Sequence, residues 1–193
     1  MARLEMPPHE SLTPEQVAVC DEVVAGRRGS VPAPMIAWLR NPELARRGQR
    51  LGELLRFETT LDAHLSELAI LVCGRHWTSH HEWTAHKKIA LAAGLDPRTV
   101  ADIAAGQPPF LRAEPEKVVF EVSSILLSSA RVPNALYRRG TDVLGERGMV
   151  ELVAILGYYC MVSLTLNAFE LGLPENAAPE LGDPEFVRQG SAG

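Results

Sequence analysis

The chain of 193 residues lacks the features that would mark several large protein classes. Its three cysteines, Cys20, Cys73 and Cys160, are far apart in sequence and sit in apolar settings, which excludes a disulfide framework and a CxxC pair. They read as buried thiols, and a reducing compartment fits them. No apolar run reaches the ~20 residues that span a bilayer. The opening stretch, MARLEMPPHESLTPEQ, has no apolar signal-peptide core, so a cytoplasmic protein with no membrane partner is expected. Basic charge is sparse as well: 19 Lys and Arg stand against 24 Asp and Glu, and the pairs Arg27-Arg28, Arg46-Arg47 and Arg138-Arg139 are isolated. Nucleic acid is therefore not an expected partner, because phosphate binding needs clustered cations. No segment alternates with period two for long enough to propose a sheet.

What is present is helix signal. Thr13-Pro14-Glu15-Gln16 combines a cap, a proline and an acidic first turn, and predicts a helix to about Ala25. GRRGSVPAP (26–34) is a Gly/Pro loop leading into a short helix near 35–39. Asn41-Pro42-Glu43 opens a helix to about Phe57, and Thr60 is expected to cap one running from Leu61 to near Trp77. Further helices are expected at 79–93, 97–105 and 114–129, from Pro133 to about Gly145, and from Val150 to Leu171. The predicted fold is all-α, one domain over 1–175, followed by a polar tail over 176–193. Glu67-Leu-Ala-Ile-Leu and Glu151-Leu-Val-Ala-Ile-Leu echo one another. The echo fits two related helical halves, and chance matches between apolar helices fit it equally well.

The densest chemistry lies in residues 62–95, where four of the six histidines fall between His76 and His86. On a helix opening at Ser79, residues Ser79, Glu82, Trp83 and His86 share a face at i, i+3, i+4 and i+7. His81 points elsewhere. His81-Glu82-Trp83-Thr84-Ala85-His86 is one residue longer than HExxH, and histidines five apart on a regular helix do not close on one metal. A Glu82/His86 pair helped by His76 or Glu67 remains open as a metal site. Ser79-x-x-Glu82 also has the spacing of a capping box. His86, and Glu67 within its apolar stripe, each need a polar partner, and as a core pair each would satisfy the other. The same pair suits proton transfer: a buried carboxylate on one ring nitrogen fixes the tautomer and leaves the other nitrogen for a substrate.

Glu67, the twelve-residue step to Ser79, Glu82-Trp83-x-x-His86 and Ala90-x-x-x-Gly94 together resemble the carboxymuconolactone decarboxylase family, which shares its fold with alkylhydroperoxidase D-like helical bundles. The likeness spans most of 12–173. It implies that Ser79 and Glu82 stand where the peroxidase branch carries its two redox cysteines. Cys73 has no CxxC partner, so thiol peroxidase activity is not expected. The decarboxylase-type branch is implied instead, with no cofactor and no metal, acting on a small carboxylated or lactone-type substrate. In that reading His86 is the proton donor or acceptor, Glu67 orients it, and Glu82 is a second acid/base group. His80, His81 and the first turn of their helix would hold a substrate carboxylate. Trp83 and Ser79 would line the site, and Arg28 would clamp the anion. The sequence leaves open whether Tyr137, Tyr158, Tyr159 or Asn167 reach the site, with core packing the default for Tyr158 and Asn167. The likeness also implies a homotrimer or homohexamer. A metal-dependent enzyme and a non-catalytic helical oligomer are the alternatives.

Overall fold

A computed structural model describes residues 2–173 and 178–182. Among the described residues there are eight α-helices and no strand: α1 (Pro14–Ala25), α2 (Met35–Trp38), α3 (Pro42–Phe57), α4 (Ala63–His76), α5 (His80–Ala92), α6 (Pro97–Ala104), α7 (Glu114–Ser129) and α8 (Asn134–Ala168). Most starts follow local chemistry. Thr13 and Gln16 form a reciprocal capping box at α1, with Pro14 in the first turn. The Asn41 side chain accepts from the Leu44 N–H at α3, and Asp96 accepts from the Arg98 N–H at α6.

Helix α4 is the centre of the molecule. Every residue from Leu65 to Gly74 is buried, and α5, α7 and α8 pack around it. A helix apolar on all sides has to be enclosed in this way, and each fully buried aliphatic side chain contributes about 1.5–3 kcal/mol. Glu67 is the one ionisable carboxylate in that buried run.

Two boundaries differ from expectation. Thr60 does not cap α4; its N–H and its hydroxyl both donate to Glu151 on α8, at 2.7 and 2.6 Å, and Asp62 takes the cap position. The two helices expected over 133–171 are joined. The chain turns only at Gly145 (φ 73°, ψ 164°) and resumes helix at once, because glycine alone adopts that backbone cheaply. From 146 to 168 α8 is uninterrupted, so the echo of Glu67 at Glu151 is not matched by a second hairpin like α4–α5. Glu151 instead bonds Thr60 and Arg147.

By length and composition α8 could cross a membrane, contrary to the expectation that no segment qualifies, yet 56% of its most apolar window is buried inside the fold. Core packing accounts for that apolarity. Within 176–193, Glu180 bonds Lys87 and Leu181 is buried. Residues 176–177 and 183–193 of the expected tail lie outside the described residues.

Replacing Gly145 by alanine forces a side chain into this backbone conformation and is expected to destabilise the fold by about 1–3 kcal/mol. Urea denaturation of Gly145→Ala against wild type checks the loss.

Candidate functional site

The site begins with the turn that folds α5 back along α4. Thr78 adopts a left-handed conformation (φ 47°), and the Ser79 N–H donates to the Gly74 carbonyl at 2.8 Å. A β-branched residue is strained there, and the turn is held by the packing of the two helices. Asn167 of α8 secures it by donating to the Trp77 carbonyl at 2.8 Å.

The reversal brings Glu67 of α4 against His86 of α5. Glu67 Oε2 lies 2.7 Å from His86 Nδ1. The other ring nitrogen, Nε2, lies 3.0 Å from Glu82 Oε1, one turn back on α5. Glu82 Oε1 makes no hydrogen bond beyond this ion pair. All three side chains are at most 8% exposed.

Two expectations are corrected by this arrangement. Ser79 and Glu82 do not form a capping box: the Ser79 side chain makes no cap bond, and Glu82 turns inward to the imidazole. A charged partner in a dry interior outweighs a neutral backbone N–H. Nor is one nitrogen of His86 left open to a substrate, because a carboxylate sits on each edge of the ring. Burial alone would lower the His86 pKa, but the Glu82 and Glu67 carboxylates outweigh it and raise the group to about 9. His86 is therefore an imidazolium at neutral pH.

Helix α8 and the 26–34 loop close the cluster. The Tyr159 ring stands edge-on to His86 at 5.0 Å, and Tyr158 lies edge-on to Tyr159 at 5.3 Å. Burial and the Glu82 charge raise the Tyr159 pKa; burial raises that of Tyr158 to about 12, against the pull of Arg28. The Tyr158 hydroxyl and Arg28 Nη2 both press onto the backbone of α3 at Gly52, where a Cβ would collide with each. Arg28 thus packs beside Tyr158. Its Nε and Nη2 are buried and have no hydrogen-bond partner among the described residues. Whether Tyr159 reaches the site was left open by the sequence, and Gly52 was not anticipated; nothing local in the chain points to either.

The remaining expected substrate-binding residues separate. His81 Nδ1 lies 2.8 Å from the Gly172 carbonyl and is tied to the end of the chain segment after α8. His80 is buried at the start of α5, and Ser79 Oγ is buried without a hydrogen bond. Trp83 faces a cleft of about 680 Å³, lined also by Arg75, Lys87, Val100 and Glu180, and its indole N–H lies 3.4 Å from Glu180. The two carboxylates grip opposite edges of one imidazole and do not converge, and among the described residues no group of three or more His, Cys, Asp or Glu is placed to hold a metal.

The cysteines are also not as expected. Cys73 on α4 and Cys160 on α8 are 87 positions apart, yet their Sγ atoms lie 3.7 Å from one another. No sequence spacing announces such a pair.

No protein-family model matches this chain, and no curated protein does. Solved structures do. One is described as an alkylhydroperoxidase AhpD core, an uncharacterized peroxidase-related protein from Ralstonia eutropha JMP134, with a TM-score of 0.75 and 13% identity over 90% of this chain and 93% of that one. Another is an uncharacterized peroxidase-related protein from Silicibacter sp. TM1040, with a TM-score of 0.71 and 17% identity over 88% of this chain and 90% of that one. At these identities the likeness concerns architecture, and this chain has the all-α fold of the AhpD core.

Proposed function

We propose that this protein is an acid/base enzyme of the carboxymuconolactone decarboxylase type, needing no cofactor, that decarboxylates, opens or isomerises a small carboxylated or lactone-type substrate. The observation that carries this reading is the buried Glu67–His86–Glu82 chain, with Tyr159 against the imidazole and Arg28 beside the next residue, Tyr158. Glu67 anchors the imidazolium through Nδ1. Glu82, paired with Nε2, is the carboxylate able to take a proton from a substrate carbon or return one, and the adjacent positive charge favours its ionised, proton-accepting form. Arg28 has two buried N–H groups to offer a substrate carboxylate, and Tyr158 stands beside it. His80, His81, Trp83 and Ser79 have less support as substrate-binding groups, since His81 and Trp83 are engaged elsewhere.

A homo-oligomer, trimer or hexamer, belongs to this proposal. Val150, Val153 and Leu164 lie along one stripe of α8 and are 69, 45 and 47% exposed, an apolar surface that a second copy would cover.

Assays of decarboxylation and lactone hydrolysis on carboxymuconolactone-type substrates test the reading. Turnover in wild type is expected to fall about 10²–10⁴-fold in His86→Ala and in Glu82→Gln, with helical content unchanged by circular dichroism. Arg28→Met is expected to raise KM more than it lowers kcat. Absent turnover in wild type, with His86→Ala lowering only stability, would instead make the cluster a buried structural network.

The imidazolium also predicts a pH dependence of stability. Its folded pKa of about 9 lies above the ordinary histidine value of 6.5, so its contribution is fully present below pH 6.5 and is lost as pH rises through about 9. The difference in unfolding free energy between wild type and His86→Gln is expected to shrink by roughly 3 kcal/mol across that window, measured by urea denaturation at fixed pH steps.

A further inference from the structure

We propose that Cys73 and Cys160 are a redox-active thiol pair, in which Cys160 reacts with a hydroperoxide and Cys73 resolves the product as an intramolecular disulfide bridging α4 and α8. This inference does not depend on the acid/base reading above, and its thiols are not at Ser79 or Glu82.

The geometry gives the two sulfurs different roles. Cys73 is fully buried, whereas Cys160 is partly exposed and is the sulfur a small oxidant meets first. The sulfurs are 3.7 Å apart, so a bond needs them to close to about 2.05 Å. The Trp77 indole N–H donates to Cys160 Sγ at 3.2 Å, a contact that favours negative charge on that sulfur. Cys73 S–H as donor, with the Trp77 N–H, outweighs burial and holds the Cys160 pKa below the usual thiol value. The Cys160 sulfur, burial and the Glu82 carboxylate all act to keep the proton on Cys73. An accessible thiolate beside a protonated resolving thiol is the arrangement that reacts with peroxides.

The chemistry balances in two steps. The Cys160 thiolate attacks the outer oxygen of a hydroperoxide; an S–O bond forms, the O–O bond breaks, and the departing alkoxide takes a proton from solvent to leave as an alcohol or water. Cys160 is then a sulfenic acid, its sulfur having lost the two electrons the peroxide gained. Cys73 attacks that sulfur; the S–S bond forms, the S–O bond breaks, and the Cys73 proton leaves with the hydroxyl as water. A dithiol reductant restores both thiols.

Full-length protein treated with a small excess of hydrogen peroxide gives the test, with Cys20 as the internal control thiol. Wild type is expected to lose two of its three free thiols, to yield a Cys73–Cys160 disulfide on peptide mapping, and to recover both thiols with dithiothreitol. Iodoacetamide should label Cys160 at lower pH than Cys20. Cys73→Ser should stop at a sulfenic acid trapped by dimedone, and Cys160→Ser should leave Cys73 unoxidised, both variants keeping wild-type helicity. The proposal is overturned if wild type retains all three thiols. It is equally overturned if oxidation maps to Cys20, or if Cys73 oxidises as fast in Cys160→Ser as in wild type.

Discussion

The burial of an imidazolium between two carboxylates is the constraint on which the rest of the site depends. Three ionisable groups that would each be expensive to desolvate alone are tolerable only because their charges alternate along one line, Glu67 to His86 to Glu82. Removing one partner would strand a buried charge, at about 3–5 kcal/mol. The pairing therefore fixes more than local chemistry. It sets the register of α5 along α4, and with it the strained left-handed turn at Thr78.

The second wall comes from distant parts of the chain. Tyr158, Tyr159 and Cys160 are consecutive on α8, and they meet respectively Arg28, His86 and Cys73. One helical segment thus borders both the acid/base cluster and the thiol pair. Gly52 matters for a different reason: its missing side chain is the space that the Tyr158 hydroxyl and Arg28 occupy against α3. The acid/base cluster and the thiols adjoin through Glu82, whose charge is felt at Cys73 and at both tyrosines.

Much of this was legible in the sequence where the signal is local. Thr13, Asn41 and Asp96 announced their helices because capping is a contact within three residues. The spacing of Glu82 and His86 placed them on one face, and the isolated Glu67 in an apolar stripe asked for a partner. The capping-box expectation at Ser79 failed because the same four-residue spacing serves two chemistries, and only the third dimension shows the imidazole competing for Glu82. Thr60 misled in the same way, being drawn to Glu151 across 91 positions. Cys160, Gly52 and Tyr159 had no local mark at all, since their partners come from other helices.

The most direct test of this account is an NMR pH titration of the His86 ring in the folded protein, with His86→Gln used to assign the signal. A ring that stays protonated through neutral pH and titrates at about 9 is the result predicted from its two carboxylates. Titration below pH 6.5 would contradict the account, because it would mean that burial wins and that the imidazole is neutral where the proposed chemistry needs its charge.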